Sequence, residues 1–238
     1  MRPNALNRTA GTRLFLRKRS DNPVASMLRA LALLSLIAVQ ACALRPQAPL
    51  DDAPEARQVR ASSEHYPDSY DQALRLWRSP EQVNAWIADS FEYDSARAMR
   101  LSETQRQAHG SLPIYPPTQF YSTPAGVCVD LTRFAVETLR AISPEANPKY
   151  VMLEFAPVTI QGNTLRVHWL ASFERDGKLY FFADSKRPGY IAGPYSSTHE
   201  FVAEYARYRD REVIAFRELP SYQRQVKVKT AKQIREGA

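Results

Sequence analysis

Two β-rich runs, Leu165 to Glu174 and Lys178 to Asp184, flank Arg175-Asp176-Gly177. Aliphatic and aromatic residues on both sides of an Asp-Gly pair are a strong short-range hairpin signal, and a hairpin commits this part of the chain to an antiparallel sheet. Two loop geometries are open. A two-residue Asp-Gly turn sets Trp169 against Asp184 and His168 against Ser185. A three-residue loop with Gly177 in the left-handed conformation instead sets His168 opposite Asp184. In that second register Val167, Trp169, Ala171 and Phe173 share a nearly apolar face with Ser185, Ala183, Phe181 and Leu179. The other face carries Glu174 opposite Lys178, Ser172 opposite Tyr180, Leu170 opposite Phe182 and His168 opposite Asp184. If one face is buried, a one-residue slip would mix the two, so the hydrophobic pattern selects the three-residue loop. An imidazole and a carboxylate then stand side by side, with a Cβ separation of about 4.5–5.5 Å.

Upstream, Ala125-Gly126-Val127-Cys128 precedes Leu131, Phe134, Ala135, Thr138, Leu139 and Ile142, which recur at helical spacing. Cys128 thus stands at the start of an amphipathic helix. Unpaired N–H groups and the positive end of the helix dipole favour a thiolate there. A lone cysteine among valines is more often a small buried hydrophobe. Asp184 can hold one nitrogen of His168 and leave the other to take the thiol proton, and that pairing favours a nucleophile.

These three short motifs, Gly126-Val127-Cys128 opening a helix, His168-Trp169 on a strand and Ala183-Asp184 on the next, resemble the transglutaminase-like cysteine hydrolase superfamily. The similar subgroup is the bacterial transglutaminase-like cysteine peptidases. The resemblance covers about residues 68–217 and implies an α+β, papain-like core with helices packed on an antiparallel sheet. It also implies Cys128 as nucleophile, His168 as base and Asp184 as orienter. Val127 and Val129 flank Cys128 where acids often flank the cysteine of that subgroup, a departure that puts the calcium dependence of some relatives in doubt here. The backbone N–H of Cys128 is the natural oxyanion donor, with Gln119 or Tyr121 as candidates for a second.

The formal charge is +7, but residues 1–41 hold seven basic residues and one acid, leaving 25 basic against 24 acidic residues in the remainder. A basic footprint on the folded part is missing, which argues against a nucleic-acid partner. Residues 1–41 read as a leader and signal peptide, with Met27 a candidate start and a short apolar core from Ala30 to Ala38. Val39-Gln40-Ala41-Cys42 resembles the lipobox of bacterial lipoproteins, which implies lipid attachment at Cys42. Cys128 is the other of two cysteines and would then have no disulfide partner. Residues 42–67 read as the lipidated cysteine and a flexible tether, 68–219 as the catalytic domain and 220–238 as a charged tail.

Within the domain, helices are expected from Ser69 to Trp77, from a Ser79-Pro80-Glu81-Gln82 capping box, through 95–107, and from Thr198. Trp77 and Trp86 are expected to pack rather than bind. The proline-rich stretch from His109 to Pro124 and the Tyr190–Tyr195 segment are expected as loops. Tyr150 to Thr159 and Val213 to Phe216 are expected as strands. The four histidines are scattered and no Gly-rich phosphate loop appears, so neither a metal nor another cofactor is expected. The expected function is a lipid-anchored hydrolase of the bacterial envelope, facing the periplasm from the outer membrane and acting on a protein or peptide substrate through a thioester. A transamidase, a non-catalytic binding lipoprotein and a redox-responsive thiol are the alternatives.

Overall fold

The structure, a computed structural model, describes residues 50–55 and 65–223. Cys42 and its flanking leader lie outside the described residues.

Five short helices and a two-stranded parallel ladder lead to the cysteine. Helix α1 (Tyr70–Leu76) starts at Ser69, whose hydroxyl accepts from Gln72 N. Helix α2 (Pro80–Ser90) begins with Pro80 in its first turn, as expected, but the capping box does not close: Ser79 makes no side-chain cap bond and Gln82 Oε1 accepts from Arg78 N at 2.6 Å. Strand β1 (Glu92–Tyr93) follows. Residues 95–107, expected as one helix, divide into α3 (Ser95–Arg100) and α4 (Glu103–His109), because Asp94 and Ser102 each cap a new start. The proline-rich stretch contains α5 (Pro117–Ser122) rather than loop alone. Pro117 is in its first turn, where a missing N–H removes nothing from the helical bonding. Strand β2 (Ala125–Gly126) pairs with β1 and feeds α6 (Cys128–Ile142).

The rest of the domain is a sheet with one more helix. Strands β3 (Lys149–Ile160), β4 (Asn163–Arg175), β5 (Lys178–Phe182), β6 (Ala192–Tyr195) and β7 (Val213–Leu219) form one antiparallel sheet in the order β6-β5-β4-β3-β7. Residues 190–195, expected as a loop, thus supply an edge strand. A register shift between Glu154 and Val158 accommodates Pro157, which has no N–H to give to the ladder. Helix α7 (Thr198–Arg209) is capped by Ser197.

Both faces of the sheet are covered, and the strands divide their residues accordingly. Tyr150, Met152, Trp169, Ala171, Phe173 and Phe182 join a core with α1, α2, α5 and α6, which includes Trp77, Trp86 and Phe134. Val151, Leu153, Phe155, Leu170 and Phe181 join a second core with Phe201, Val202 and Tyr205 of α7. Period-two alternation therefore sorts side chains between two buried layers. The tryptophans at 77 and 86 are packing residues, as expected.

This arrangement corrects the hairpin register. Strand β5 pairs with β4 through Ala171↔Phe182, Phe173↔Tyr180 and Arg175↔Lys178, the pattern of the two-residue turn. Asp176 (φ 51°) and Gly177 (φ 68°) both lie in the left-handed region, as a type I′ turn requires. The hydrophobic criterion fails because it assumes one wet face. With both faces buried, a slip merely exchanges one apolar layer for another, and turn chemistry decides.

Residues 50–55 fall within the expected tether but lie against the domain. Leu50 is buried beside Ala98 and Val127, Ser185 Oγ donates to Asp52 O at 3.3 Å, and Glu55 N donates to Lys186 O at 3.4 Å.

Candidate active site

The start of α6 is built to hold a thiol at a fixed place. Val127 is the N-cap in extended conformation and Cys128 the first helical residue. Asp130, fully buried, accepts from Val127 N at 3.1 Å and from Tyr115 N at 3.0 Å. The same carboxylate takes Arg97 Nε at 2.7 Å and Nη2 at 2.8 Å, a bidentate pair that ties α3 and the loop before α5 to the cysteine's turn. Glycine at position 126 leaves room there: a Cβ would lie 3.0 Å from Asp130 Cβ and 3.0 Å from Phe120 Cε2, so those side chains would have to give by a few tenths of an ångström. The two-residue β2 can therefore pass directly over the carboxylate that fixes the helix start.

His168 is wholly buried on β4, and its Nε2 lies 2.9 Å from Asp184 Oδ1. In the observed register a regular β5 would set Asp184 opposite Trp169, on the other face from His168. It does not, because β5 ends at Phe182 and Ala183 takes a left-handed conformation (φ 57°), which turns the following carboxylate toward the imidazole. The expected pair thus forms by a different route from the one the pattern suggested. Asp184 is held in turn by Lys186 N at 3.0 Å, Arg187 Nε at 3.3 Å and the hydroxyl of Tyr205, which donates to Oδ2 at 2.9 Å. The Tyr205 oxygen is also 3.1 Å from His168 Nε2 and accepts from Arg209 Nη1 at 3.1 Å.

The other ring nitrogen, Nδ1, faces an unforeseen group. Asp52 Oδ1 is 3.1 Å away, yet the angles do not make a hydrogen bond, and Nδ1 is a buried atom with no bonded partner. A side-chain nitrogen of His168, the Cys128 sulfur and an Asp52 oxygen all lie within 4.8 Å of one another. Because Asp184 and Tyr205 occupy Nε2, Nδ1 is the nitrogen left to exchange a proton with the thiol. Cys128, His168 and Asp184 are therefore brought together as the sequence led us to expect, with Asp52 as a fourth member.

The electrostatics follow from burial and these neighbours. Burial pushes the imidazole down, but the Tyr205, Asp52 and Asp184 groups around it outweigh this and hold His168 well above its ordinary value. Burial pushes Asp184 up, and the hydrogen bond and charge of His168 with the Arg187 charge reverse it, so the carboxylate stays well below the usual range. Asp52 is also lowered, its burial outweighed by His168 and Arg209. Burial pushes the Cys128 thiol up; His168 opposes this, and the Asp52 charge adds to the rise. With Asp52 in place, the imidazolium already has an anion at its cysteine side and the sulfur keeps its proton.

A cleft of about 680 Å³ opens over the sulfur, lined by Tyr93, Ile114, Leu165, Val167 and Trp169 together with Asp52. Its wall is mostly aliphatic and aromatic, suited to an apolar group next to the reacting carbonyl. Neither Gln119 nor Tyr121 belongs to this lining. Tyr121 stacks on Trp86 at 4.7 Å and donates to Pro67 O at 2.5 Å, which removes it as an oxyanion donor, and Gln119 is exposed on α5.

Sequence reasoning missed Asp52, Tyr205 and Asp130. Asp130 carried a usable signal, an acid at the third helical position, whereas Tyr205 read as one more apolar position of α7. Asp52, Cys128 and His168 also form a group of metal-ligand type among the described residues.

In comparisons with known proteins, a family model described as a transglutaminase-like domain matches residues 75–214. No curated protein matches the chain.

Proposed function

The chain belongs to the transglutaminase-like domain family, and from that premise we propose that it is a cysteine hydrolase that cleaves a peptide or amide bond through a thioester on Cys128. The observation that carries this reading is the arrangement around His168: Asp184 on Nε2 at 2.9 Å, and the Cys128 sulfur at the start of α6 within 4.8 Å of a ring nitrogen. Asp184 fixes the Nε2–H tautomer, so Nδ1 is the base. The thiol proton passes to Nδ1 as sulfur attacks the substrate carbonyl carbon. The charge that develops on the carbonyl oxygen is met by the Cys128 N–H, which has no intrahelical acceptor at this first position. His168 then returns the proton to the departing amine, leaving a thioester. Water, deprotonated by Nδ1, attacks the thioester carbon, and the products are a carboxylate and the restored thiol.

The same thioester attacked by an amine would give transamidation, which is the second reading. The family supports both outcomes equally, and partition between water and an added primary amine separates them. As part of the same proposal, Cys42 is lipidated and tethers the enzyme to the bacterial envelope, facing the periplasm from the outer membrane, where its substrate is a protein or peptide. Among the described residues no helix is long and apolar enough to cross a membrane.

The test needs no known substrate. Iodoacetamide should alkylate Cys128 at neutral pH through the fraction of thiolate that His168 supports, and His168→Ala should slow the reaction at least tenfold. Equal rates in the parent and the variant would rule out activation by His168. A comparison of envelope proteins from cells carrying Cys128→Ser and the parent should then reveal the substrate as a protein cut, or cross-linked, only by the parent.

A further inference from the structure

The geometry points to the segment Leu50–Glu55 as an intramolecular inhibitor, a strap whose Asp52 carboxylate occupies the thiolate's place beside His168 until the strap is displaced. This inference rests on the proposed nucleophile and adds its regulation.

The strap is fastened at several independent points. Leu50 is 8% exposed and packs with Ala98 and Val127, next to the cysteine. Arg209, on the last turn of α7, gives Nη2 to Asp51 O at 2.7 Å, Asp51 Oδ2 at 2.8 Å and Asp52 Oδ1 at 3.1 Å. Arg211 pairs with Asp51 and donates to Ala156 O at 2.6 Å. Tyr208 donates to Glu55 Oε1 at 3.0 Å. Ser185, which follows the orienting Asp184, holds Asp52 O. These contacts bring two consecutive acids to a basic corner of α7 and the loop after it, and only one of the two, Asp52, reaches the imidazole.

The consequence for the site is specific. His168 is buried, and its Nδ1 is the position from which the thiol proton must be taken. A carboxylate 3.1 Å from that nitrogen stabilises the imidazolium with an anion that cannot attack a substrate as the sulfur would. It also places a negative charge beside Cys128, where a second anion is disfavoured. The contact is an ion pair rather than an aligned hydrogen bond, since Nδ1 has no bonded partner in this arrangement. Asp52 is also part of the lining of the cleft over the sulfur. When the strap lifts, its bonds to Arg209, Arg211 and Ser185 are given up and Cys128 becomes the remaining anion partner for His168.

The test uses the full chain and the alkylation of Cys128 by iodoacetamide at neutral pH, read by mass spectrometry. Asp52→Ala should label at least tenfold faster than the parent. Arg211→Ala, which removes an outer fastening without touching the site, should fall between them, and Asp52→Asn should follow Asp52→Ala because it removes the charge with little change in size. A rate in Asp52→Ala and Asp52→Asn at or below the parent's overturns the strap. His168→Ala separates this from the enzymatic reading. If His168→Ala is slower while the Asp52 variants are no faster, the nucleophile stands and the strap falls. If the Asp52 and Arg211 variants are faster but His168→Ala labels like the parent, the strap covers the thiol and the enzymatic reading falls.

Discussion

Asp130 and Arg97 form a buried ion pair at the start of α6, and the position of Cys128 depends on it although neither group reaches the reacting atoms. Removing one partner of such a pair strands the other charge in the interior, which typically costs about 3–5 kcal/mol. Asp130→Ala should therefore lower the unfolding free energy by roughly that amount in urea titrations. Asp130→Asn, which keeps an acceptor for Val127 N, should lose less, and equal losses would argue that the cap adds nothing beyond the ion pair. At this scale the sequence was informative where residue type alone limits chemistry. Cys128, His168 and Asp184 were legible because a thiol at a helix start, an imidazole and a nearby carboxylate have few joint uses. Asp52 was not legible, since an acid in a proline- and alanine-rich run has no local feature that sends it to a distant histidine. Tyr205 was hidden by its own amphipathic character: its ring packs at the spacing of a core residue while its hydroxyl braces Asp184.

The β4–β5 hairpin shows which local signals outrank others. Asp176 and Gly177 together form the turn, and Gly177 has φ 68° with nothing within 4 Å of where a Cβ would stand. Gly177→Ala therefore meets no steric neighbour and pays only the backbone cost of a left-handed alanine, about 1 kcal/mol. The urea midpoint should shift accordingly with an unchanged slope, and no loss of stability would mean that residue 177 leaves the left-handed conformation in the variant. The helices were largely legible from caps and spacing. The register was not, because both faces of β4 are buried and alternation loses its discriminating power. The element that rescues the site is the end of β5: one left-handed residue, Ala183, redirects Asp184, and nothing in an Ala-Asp pair announces that conformation.

For the whole domain, an α+β architecture with the cysteine at a helix N-terminus was readable from the order of the periodic segments, while the docking of residues 50–55 beside the cysteine depended on contacts that no single segment encodes. The site also sets how stability should depend on pH. With charges nearly balanced after residue 41, buried groups with displaced titration dominate. His168 is held well above its ordinary value, burial notwithstanding, by Tyr205, Asp52 and Asp184. A raised group contributes fully below its unfolded pKa of about 6.5 and loses that contribution as pH rises through its folded value. In that interval the native state binds one proton more than the unfolded chain, so the unfolding free energy falls by up to about 1.4 kcal/mol per pH unit. Cys128, pushed up by burial, acts in the same direction only above an unfolded thiol value of about 8.5. Asp184 and Asp52, both depressed, contribute above about 3.9 and are lost as pH falls through their folded values. Between about pH 6.5 and 8 the slope therefore belongs chiefly to His168. Urea unfolding at pH 6, 7 and 8 (values on the order of one unit apart around the unfolded histidine pKa) should show stability declining in the parent, and the decline should flatten in His168→Gln whatever the variant's absolute stability. A parent curve that is level over this range would mean that the imidazole is neutral in the folded protein and that Asp52 is not its counter-ion.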